Sequence, residues 1–268
     1  MISVIIPVYN SEHTIETAIN SILRQTLKCE IEIIVINDGS TDSSLKLIKK
    51  IKQDLNDDNV NLIIIDKKNG GVSSARNAGL KKASKKYIAL LDADDEWKEE
   101  KLEKQLNILE KNENISFIGC NRNNDNINGI FKKINSLSRL TTIDLLIKMR
   151  PQTSTVVFRR TILKEVGFYD ENQKYAEDGN YWFKILEKNN IYIIPESLVI
   201  TGNNKPSYGY SGLSANLIEM HNGEMKNIQE LVKRNQINYI QYIFFILYLK
   251  LKYFRRIFIV KRRRKNAI

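Results

Sequence analysis

Tyr87-Ile88-Ala89-Leu90-Leu91-Asp92-Ala93-Asp94-Asp95 is the stretch on which the fold turns. Its first five residues are apolar without alternation, the pattern of a strand buried on both faces of a sheet. Three carboxylates follow at once. At the carboxyl end of a parallel strand they stand at the crevice where open α/β sheets hold ligands. Like charges this close repel unless a cation sits among them. A hard divalent ion that also touches phosphate suits such oxygen donors. The plainer reading is a solvated acidic turn ahead of a helix at Trp97, where acids favour the N-terminus. The stretch alone does not choose between the two.

Upstream, the same spacing repeats. Strand-like runs at Ser3 to Ile6, Glu32 to Ile36 and Leu62 to Ile65 alternate with helical patterns. The first helix, Glu12 to Gln25, sets Ile15, Ala18, Ile19, Ile22 and Leu23 on one face, with Asn10 or Ser11 as its cap. The second, Ser43 to Leu55, turns Leu45, Ile48, Ile51 and Leu55 inward, and a third follows Asn69-Gly70-Gly71. This βαβαβαβ order predicts an α/β fold with a mostly parallel central sheet flanked by helices. The loops after its strands then share one edge, bringing Tyr9, Asp38, Gly70-Gly71 and Asp92 to Asp95 together.

Downstream, a helix is expected over Lys98 to Lys111 and a strand over Ile115 to Cys120, then an Asn-rich loop or weak hairpin around Asn128-Gly129. Further strands are expected at Ser154 to Phe158, Ile191 to Ile194 and Leu198 to Ile200, with a helix after Tyr175-Ala176-Glu177-Asp178-Gly179. The expected division is one sheet domain over 1–205, with halves at 1–115 and 116–205, and a C-terminal extension of basic helices over 206–268.

The 268 residues, 42% of them hydrophobic, suffice for one large domain or two small ones. Two cysteines and two histidines at unrelated positions argue against a zinc site or a disulfide framework, and a reducing compartment fits. Met1 leads directly into a strand-like run with no basic n-region, so no secretory signal is expected. The net charge of +11 is unevenly placed. No acid follows Glu230, while eleven basic residues do, so residues 1–230 carry equal numbers of each sign.

Each candidate residue has a plain reading beside a sharp one. Tyr9 can stack on a nucleobase or simply rim the sheet. Asp38 can accept from a base or ribose, or belong to turn chemistry. Gly71 permits close backbone approach to a ligand, or merely a turn. Arg76, early in its helix, can face an anion or a surface acid. Glu177-Asp178 is either a helix cap or a general base. His221 reads as structural and Trp182 as core or pocket wall.

Taken together, Ser3-Val4-Ile5-Ile6-Pro7-Val8-Tyr9-Asn10 with Glu12, Val35 to Asp42, Asn69 to Ser73 with Ala75-Arg76-Asn77, Leu90 to Trp97, Gly167 to Glu171 and Glu177-Asp178 resemble the glycosyltransferase family 2 enzymes of the GT-A fold. The resemblance covers roughly residues 1 to 200. It implies an inverting transfer from a UDP-sugar, carrying a hexose such as glucose or galactose or an N-acetylhexosamine. Pro7, Tyr9, Glu12 and Gly71 match nucleotide-sugar contacts, Asp38 the reader of the uracil edge, and Arg76 the arginine near the nucleotide. Asp92-Ala93-Asp94 matches the DxD motif, with Asp92 and Ala93 on the nucleotide-sugar and Asp94 on Mn²⁺ or Mg²⁺. Asp178 matches the catalytic base. The resemblance further implies a glycan acceptor in bacterial polysaccharide, O-antigen or lipooligosaccharide synthesis, and a tail held at a membrane would fit one linked to undecaprenyl diphosphate. No Gln-x-x-Arg-Trp run follows Asp178, which argues for transfer of one sugar at a time. A sugar nucleotidyltransferase is the first alternative, though Pro7-Val8-Tyr9-Asn10 is not its basic Gly-rich loop. A non-enzymatic nucleotide- or nucleic-acid-binding protein is the second, and the neutral domain speaks against nucleic acid as a partner.

Ile237 to Val260 is rich in Tyr, Phe and Ile, yet Lys250, Lys252, Arg255 and Arg256 interrupt it. The uncharged run from Gln236 to Leu249 is short for a bilayer. An interfacial helix on the cytoplasmic face of the inner membrane is the expectation, with a packed C-terminal helix pair as the alternative.

Overall fold

The computed structural model describes residues 1–129, 132–202, 208–210 and 212–266, with side chains up to residue 263. Strands β1 (Ile2–Val8), β2 (Ile31–Asp38), β3 (Val60–Lys67) and β4 (Tyr87–Leu90) pair in parallel in the order β3-β2-β1-β4. Their Ile and Val runs suit strands covered on both sides. Helices α1 (Ile15–Leu23) and α2 (Ser44–Asp54) cover one face, where Val4 and Ile6 point. Helix α3 (Val72–Lys82) covers the other, over Ile5 and Ile36. Registers Val8↔Asn37 and Ile5↔Leu90 bring the carboxyl ends of β1, β2 and β4 to one edge.

The second half of the sheet is mixed. It contains β5 (Glu96–Trp97), β6 (Phe117–Arg122), β7 (Ser138–Leu140), β8 (Val157–Arg159) and β9 (Ile191–Ile200). Strand β8 joins β4 to β6 antiparallel to both, β6 pairs with β9 in parallel, and β5 and β7 lie antiparallel to β9. One sheet therefore runs through both expected halves of the chain. Around it pack α4 (Lys101–Lys111), α5 (Thr142–Ile147), α6 (Ile162–Val166), α7 (Glu177–Leu186), α8 (Leu217–Lys233) and α9 (Tyr239–Asn266). The expected 205/206 boundary lies outside the described residues.

Several local expectations shift. No helix starts at Trp97. Its indole is buried and donates to the Ser154 carbonyl at 2.7 Å, and its backbone pairs with β9, so the helix waits until Lys101. The two late strands are one, continuous through Pro195. A register shift against β6 between Gly119 and Asn121 absorbs the proline, which has no N–H to pair. Ser154 belongs to a single 3₁₀ turn, Thr153–Thr155, ahead of β8. Helix α1 begins at Ile15, and neither Asn10 nor Ser11 caps it. Both are engaged across the crevice instead.

Candidate functional site

The first two loops are stitched together. The Asn10 side chain accepts from the Thr41 N–H at 2.8 Å, and the Ser11 N–H donates to Ser44 Oγ at 2.8 Å. The Glu12 carboxylate accepts from the Ser43 N–H at 2.8 Å, while its own N–H donates to Asp42 at 3.1 Å. Glu12 thus holds the entrance to α2. Tyr9 projects from this rigid pair of loops, 53% exposed, just beyond Pro7.

Asp38 lies at the end of β2, buried, and accepts from Lys67 Nζ at 2.6 Å and from the Gly70 and Gly71 N–H groups at 3.0 and 2.8 Å. Gly71 has φ of 85°, a conformation that favours glycine, and a Cβ there would meet nothing within 4 Å. The strand 2 loop and the Gly-Gly turn therefore form one wall with an open side.

Helix α3 seats very closely on the sheet. A Cβ on Gly79 would lie 2.5 Å from Ile5 and 2.8 Å from Ile36, so only glycine allows this approach. The same inner face carries Arg76, buried at 3% exposure. Its Nη2 donates to Asp92 at 2.8 Å, and its Nη1 donates to Glu177 at 3.0 Å and Asp178 at 2.8 Å. Burial alone would lower the guanidinium pKa, but the charges of Asp178 and Asp92 outweigh it and hold the pKa well above its ordinary value. The neighbouring Asn77 reads the backbone of Tyr169 in both directions, at 2.9 and 3.0 Å, and donates to Glu171 at 2.8 Å. The Ala75-Arg76-Asn77 motif is therefore the physical link to both the Gly167 to Glu171 turn and the Glu177-Asp178 pair.

Neither plain reading of the acids holds. Glu177 and Asp178 make no side-chain cap; the N-cap of α7 is Ala176, in the left-handed region. The cation facing Asp92 is supplied by the chain itself. Burial, then the charge of Asp178, pushes Glu177 up to about 7. Burial likewise raises Asp178, against the opposing pull of Arg76. Asp178 remains 30% exposed on the crevice side and also accepts from Thr153 Oγ1.

Asp95 is a structural post and caps no helix. It is buried and accepts from Ser154 Oγ at 2.5 Å, Gln152 Nε2 at 3.1 Å and the Gly202 N–H at 3.0 Å. Burial and the Asp92 charge push it up to about 7. Ser154 Oγ also accepts from the Asp92 N–H at 3.0 Å, so one hydroxyl fixes the acidic turn at two points. Ala93 is buried beneath that turn and Asp94 is exposed on it.

Among the described residues, no three His, Cys, Asp or Glu side chains converge on a protein-only metal position. Asp92 faces Arg76 at 2.8 Å, and the Asp94 carboxylate stands exposed on the same turn. That set fits a Mg²⁺- or Mn²⁺-type ion completed by diphosphate oxygens, since such ions commonly take one or two carboxylates plus phosphate.

Sequence reasoning placed Pro7, Tyr9, Glu12, Asp38, Gly71, Asp92, Ala93 and Asp94 at or just after the strand ends of this edge, and Arg76 and Asp178 at the starts of helices, where α3 and α7 carry them. It missed Gln152, Thr153 and Ser154, which reach both acidic clusters. Their signal was the polar run after Pro151, too hydroxyl-rich for an ordinary strand end. Trp182 is core, fully buried and donating to the Pro151 carbonyl at 3.1 Å, and His221 stacks on Tyr253 at 4.7 Å away from the crevice.

The sequence profile described as glycosyl transferase family 2 matches residues 3–167. The Escherichia coli protein named UDP-Glc:alpha-D-GlcNAc-diphosphoundecaprenol beta-1,3-glucosyltransferase WfgD is 36% identical over 195 residues, covering 72% of this chain and 73% of that protein. Several other matched glycosyltransferases are spanned over less than two thirds of their length. Among solved structures, S. aureus TarS 1-349 in complex with UDP-GlcNAc superposes with a TM-score of 0.65 at 23% identity, over 85% of this chain and 66% of that one. Mannosyltransferase PcManGT from Pyrobaculum calidifontis, in complex with GDP-Man and Mn²⁺, gives 0.68 at 17% identity, over 87% and 64%.

Proposed function

This chain belongs to glycosyl transferase family 2, and on that premise we propose that it moves one sugar from a UDP-sugar to a hydroxyl of a lipid-linked glycan, inverting the anomeric centre. The observation that carries this reading is Arg76, whose guanidinium joins the acidic turn after β4 to the acid pair at the start of α7. A donor-side group and an acceptor-side group are thereby held on one crevice.

In this reading the uridine enters along Tyr9 and the Asp38–Gly71 wall, with Pro7 and Glu12 shaping the loop beneath it. Asp92 and Ala93 border the ribose and the diphosphate, and Asp94 is the chain's ligand to Mn²⁺ or Mg²⁺. A divalent ion there supplies charge stabilisation to the departing diphosphate. Asp178 takes the proton of the acceptor hydroxyl as that oxygen attacks the anomeric carbon from the face opposite the leaving group. One displacement turns an α-linked donor into a β-glycoside. Thr153 and Arg76 hold Asp178 in its orientation. The donor class is supported by the UDP-Glc and UDP-GlcNAc printed in the names of WfgD and the TarS complex. The acceptor class is supported by the WfgD name, which gives a diphosphoundecaprenol-linked GlcNAc. Such an acceptor would bring the reaction to the cytoplasmic membrane face. The nucleotidyltransferase and nucleic-acid alternatives lose their footing with family membership.

The test is incubation with a panel of UDP-sugars and Mn²⁺, following UDP release with and without lipid-diphosphate-linked GlcNAc. Asp178→Asn should retain UDP-sugar binding and lose transfer. Near-normal turnover in that variant would remove Asp178 from the role, and absence of UDP release with every donor would sink the donor class.

A further inference from the structure

Helix α9 buries one face and leaves another bare. Phe245, Leu249 and Val260 are buried, and the Tyr248 hydroxyl donates to the Ile147 carbonyl at 2.9 Å. Arg256 forks onto Glu224 of α8 at 2.8 and 3.1 Å, with Lys252 at 3.7 Å from the same carboxylate. Two of the cations that interrupt the apolar tail are thus consumed inside the fold. The opposite face carries Ile240, Phe244, Leu247, Leu251, Phe254 and Phe258, each at least 58% exposed. Alternating steps of four and three residues align these six on one stripe. At 1.5 Å per residue it is about 27 Å long.

The borders of the stripe are all of one sign. Lys250 and Arg255 flank it, exposed, and Lys261 and Arg262 continue the same face toward the carboxyl end, also exposed. No acid occurs anywhere after Glu230. The helix is not built to cross a bilayer: among the described residues none is long and apolar enough. A bare apolar stripe edged by cations, on a helix too charged to span, has the chemistry of a segment lying in a bilayer interface.

The 4-3 spacing is also that of a two-stranded coiled-coil seam. Two features oppose pairing with a second copy. Three of the six seam positions are Phe, which suit hydrocarbon better than tight knobs-into-holes packing. The flanking positions Lys250, Arg255 and Arg262 would meet like charges with no acid to offset them.

We propose that α9 docks this protein on an anionic lipid bilayer. The Ile240 to Phe258 stripe enters the acyl boundary, and Lys250, Arg255, Lys261 and Arg262 sit at lipid phosphates. The inference stands on the helix alone and does not depend on the transferase reading.

The experiment is co-sedimentation of the full chain with vesicles of phosphatidylethanolamine and phosphatidylglycerol, against vesicles of phosphatidylcholine alone. The protein should pellet with the first and not the second, and added salt should weaken the binding. The variant Leu251→Glu with Phe254→Glu alters two exposed positions, so its melting temperature should match the parent. Its partitioning should fall roughly tenfold or more, from lost apolar burial and added repulsion. Parent protein that stays in the supernatant with anionic vesicles would overturn the proposal, as would a well-folded double variant that pellets equally. Light scattering that shows a dimer, reduced to monomer by the same two substitutions, would assign the stripe to a second copy instead.

Discussion

Replacing Arg76 by leucine removes the guanidinium that faces Asp92, Glu177 and Asp178 together. Three charge-assisted hydrogen bonds of 2.8 to 3.0 Å disappear, and three carboxylates are left to repel one another. Removing one partner of a buried ionic network costs roughly 3–5 kcal/mol. Asp92 and Asp178 are 26% and 30% exposed, so water recovers part of that, and about 2–4 kcal/mol is expected at pH 8. The cost has a pH signature. Burial and the Asp178 charge already push Glu177 up to about 7, and without Arg76 its pKa and that of Asp178 must rise further. At pH 5 the folded variant protonates and sheds the repulsion at little cost; at pH 8 it must either keep the repulsion or take up protons from a solution poor in them. Urea unfolding of parent and variant at both values reads this directly. The loss should be clearly larger at pH 8, and Arg76→Lys should fall between, because a single ammonium cannot fork to both sides. A loss equal at the two pH values, or no loss at all, would refute the view that this arginine is the counter-charge of the crevice.

Asp94→Ala should leave the fold unchanged, since Asp94 is exposed, but should abolish the Mn²⁺ dependence of UDP binding in calorimetry; an unchanged metal dependence would move the ion elsewhere. Thr153→Val removes a hydroxyl that donates to Asp178 and so raises the pKa of that carboxyl. The rising limb of the pH–rate profile should therefore move to higher pH while UDP affinity holds, and an unmoved limb would show that Thr153 does not tune the base. In the parent protein, Asp95 and Glu177 are both pushed up to about 7 from ordinary values of 3.8 and 4.5. The folded state then keeps protons that the unfolded chain has released, so the contribution of these groups to stability falls as pH rises from about 4 to about 7 and is flat beyond. Thermal unfolding across that window should show the decline, and a rise would contradict it.

The parallel half of the sheet was legible because strand and helix periods are written in local side-chain order. The runs around Val4, Val35, Ile64 and Ala89 emerged as strands, each with its loop at the expected edge. Errors came where a distant partner overrode a local signal. Trp97 looked like a helix start among acids, yet β9 was waiting to pair with it. Ile191 to Ile194 and Leu198 to Ile200 read as two strands, yet a register shift against β6 carries one strand through Pro195. Asn10 and Ser11 looked like caps of the helix beside them, yet their bonds reach some thirty residues away, to Thr41 and Ser44.

The sequence by itself determined the α/β order and the identity of the crevice loops, because strand burial, helix amphipathicity and turn chemistry are near-neighbour properties. It also determined where the excess positive charge lies. Only the tertiary structure decided how those charges are used. Asp92, Asp94 and Asp95 are nearly adjacent in the chain but take three different environments, on Arg76, at the surface and on the Ser154 hydroxyl. Lys252 and Arg256 turn inward to Glu224 while Lys250 and Arg255 remain outside. The energy of an ionised group depends on its desolvation and on the opposite charges within a few ångströms, and both are set by residues that the fold, not the chain order, brings near.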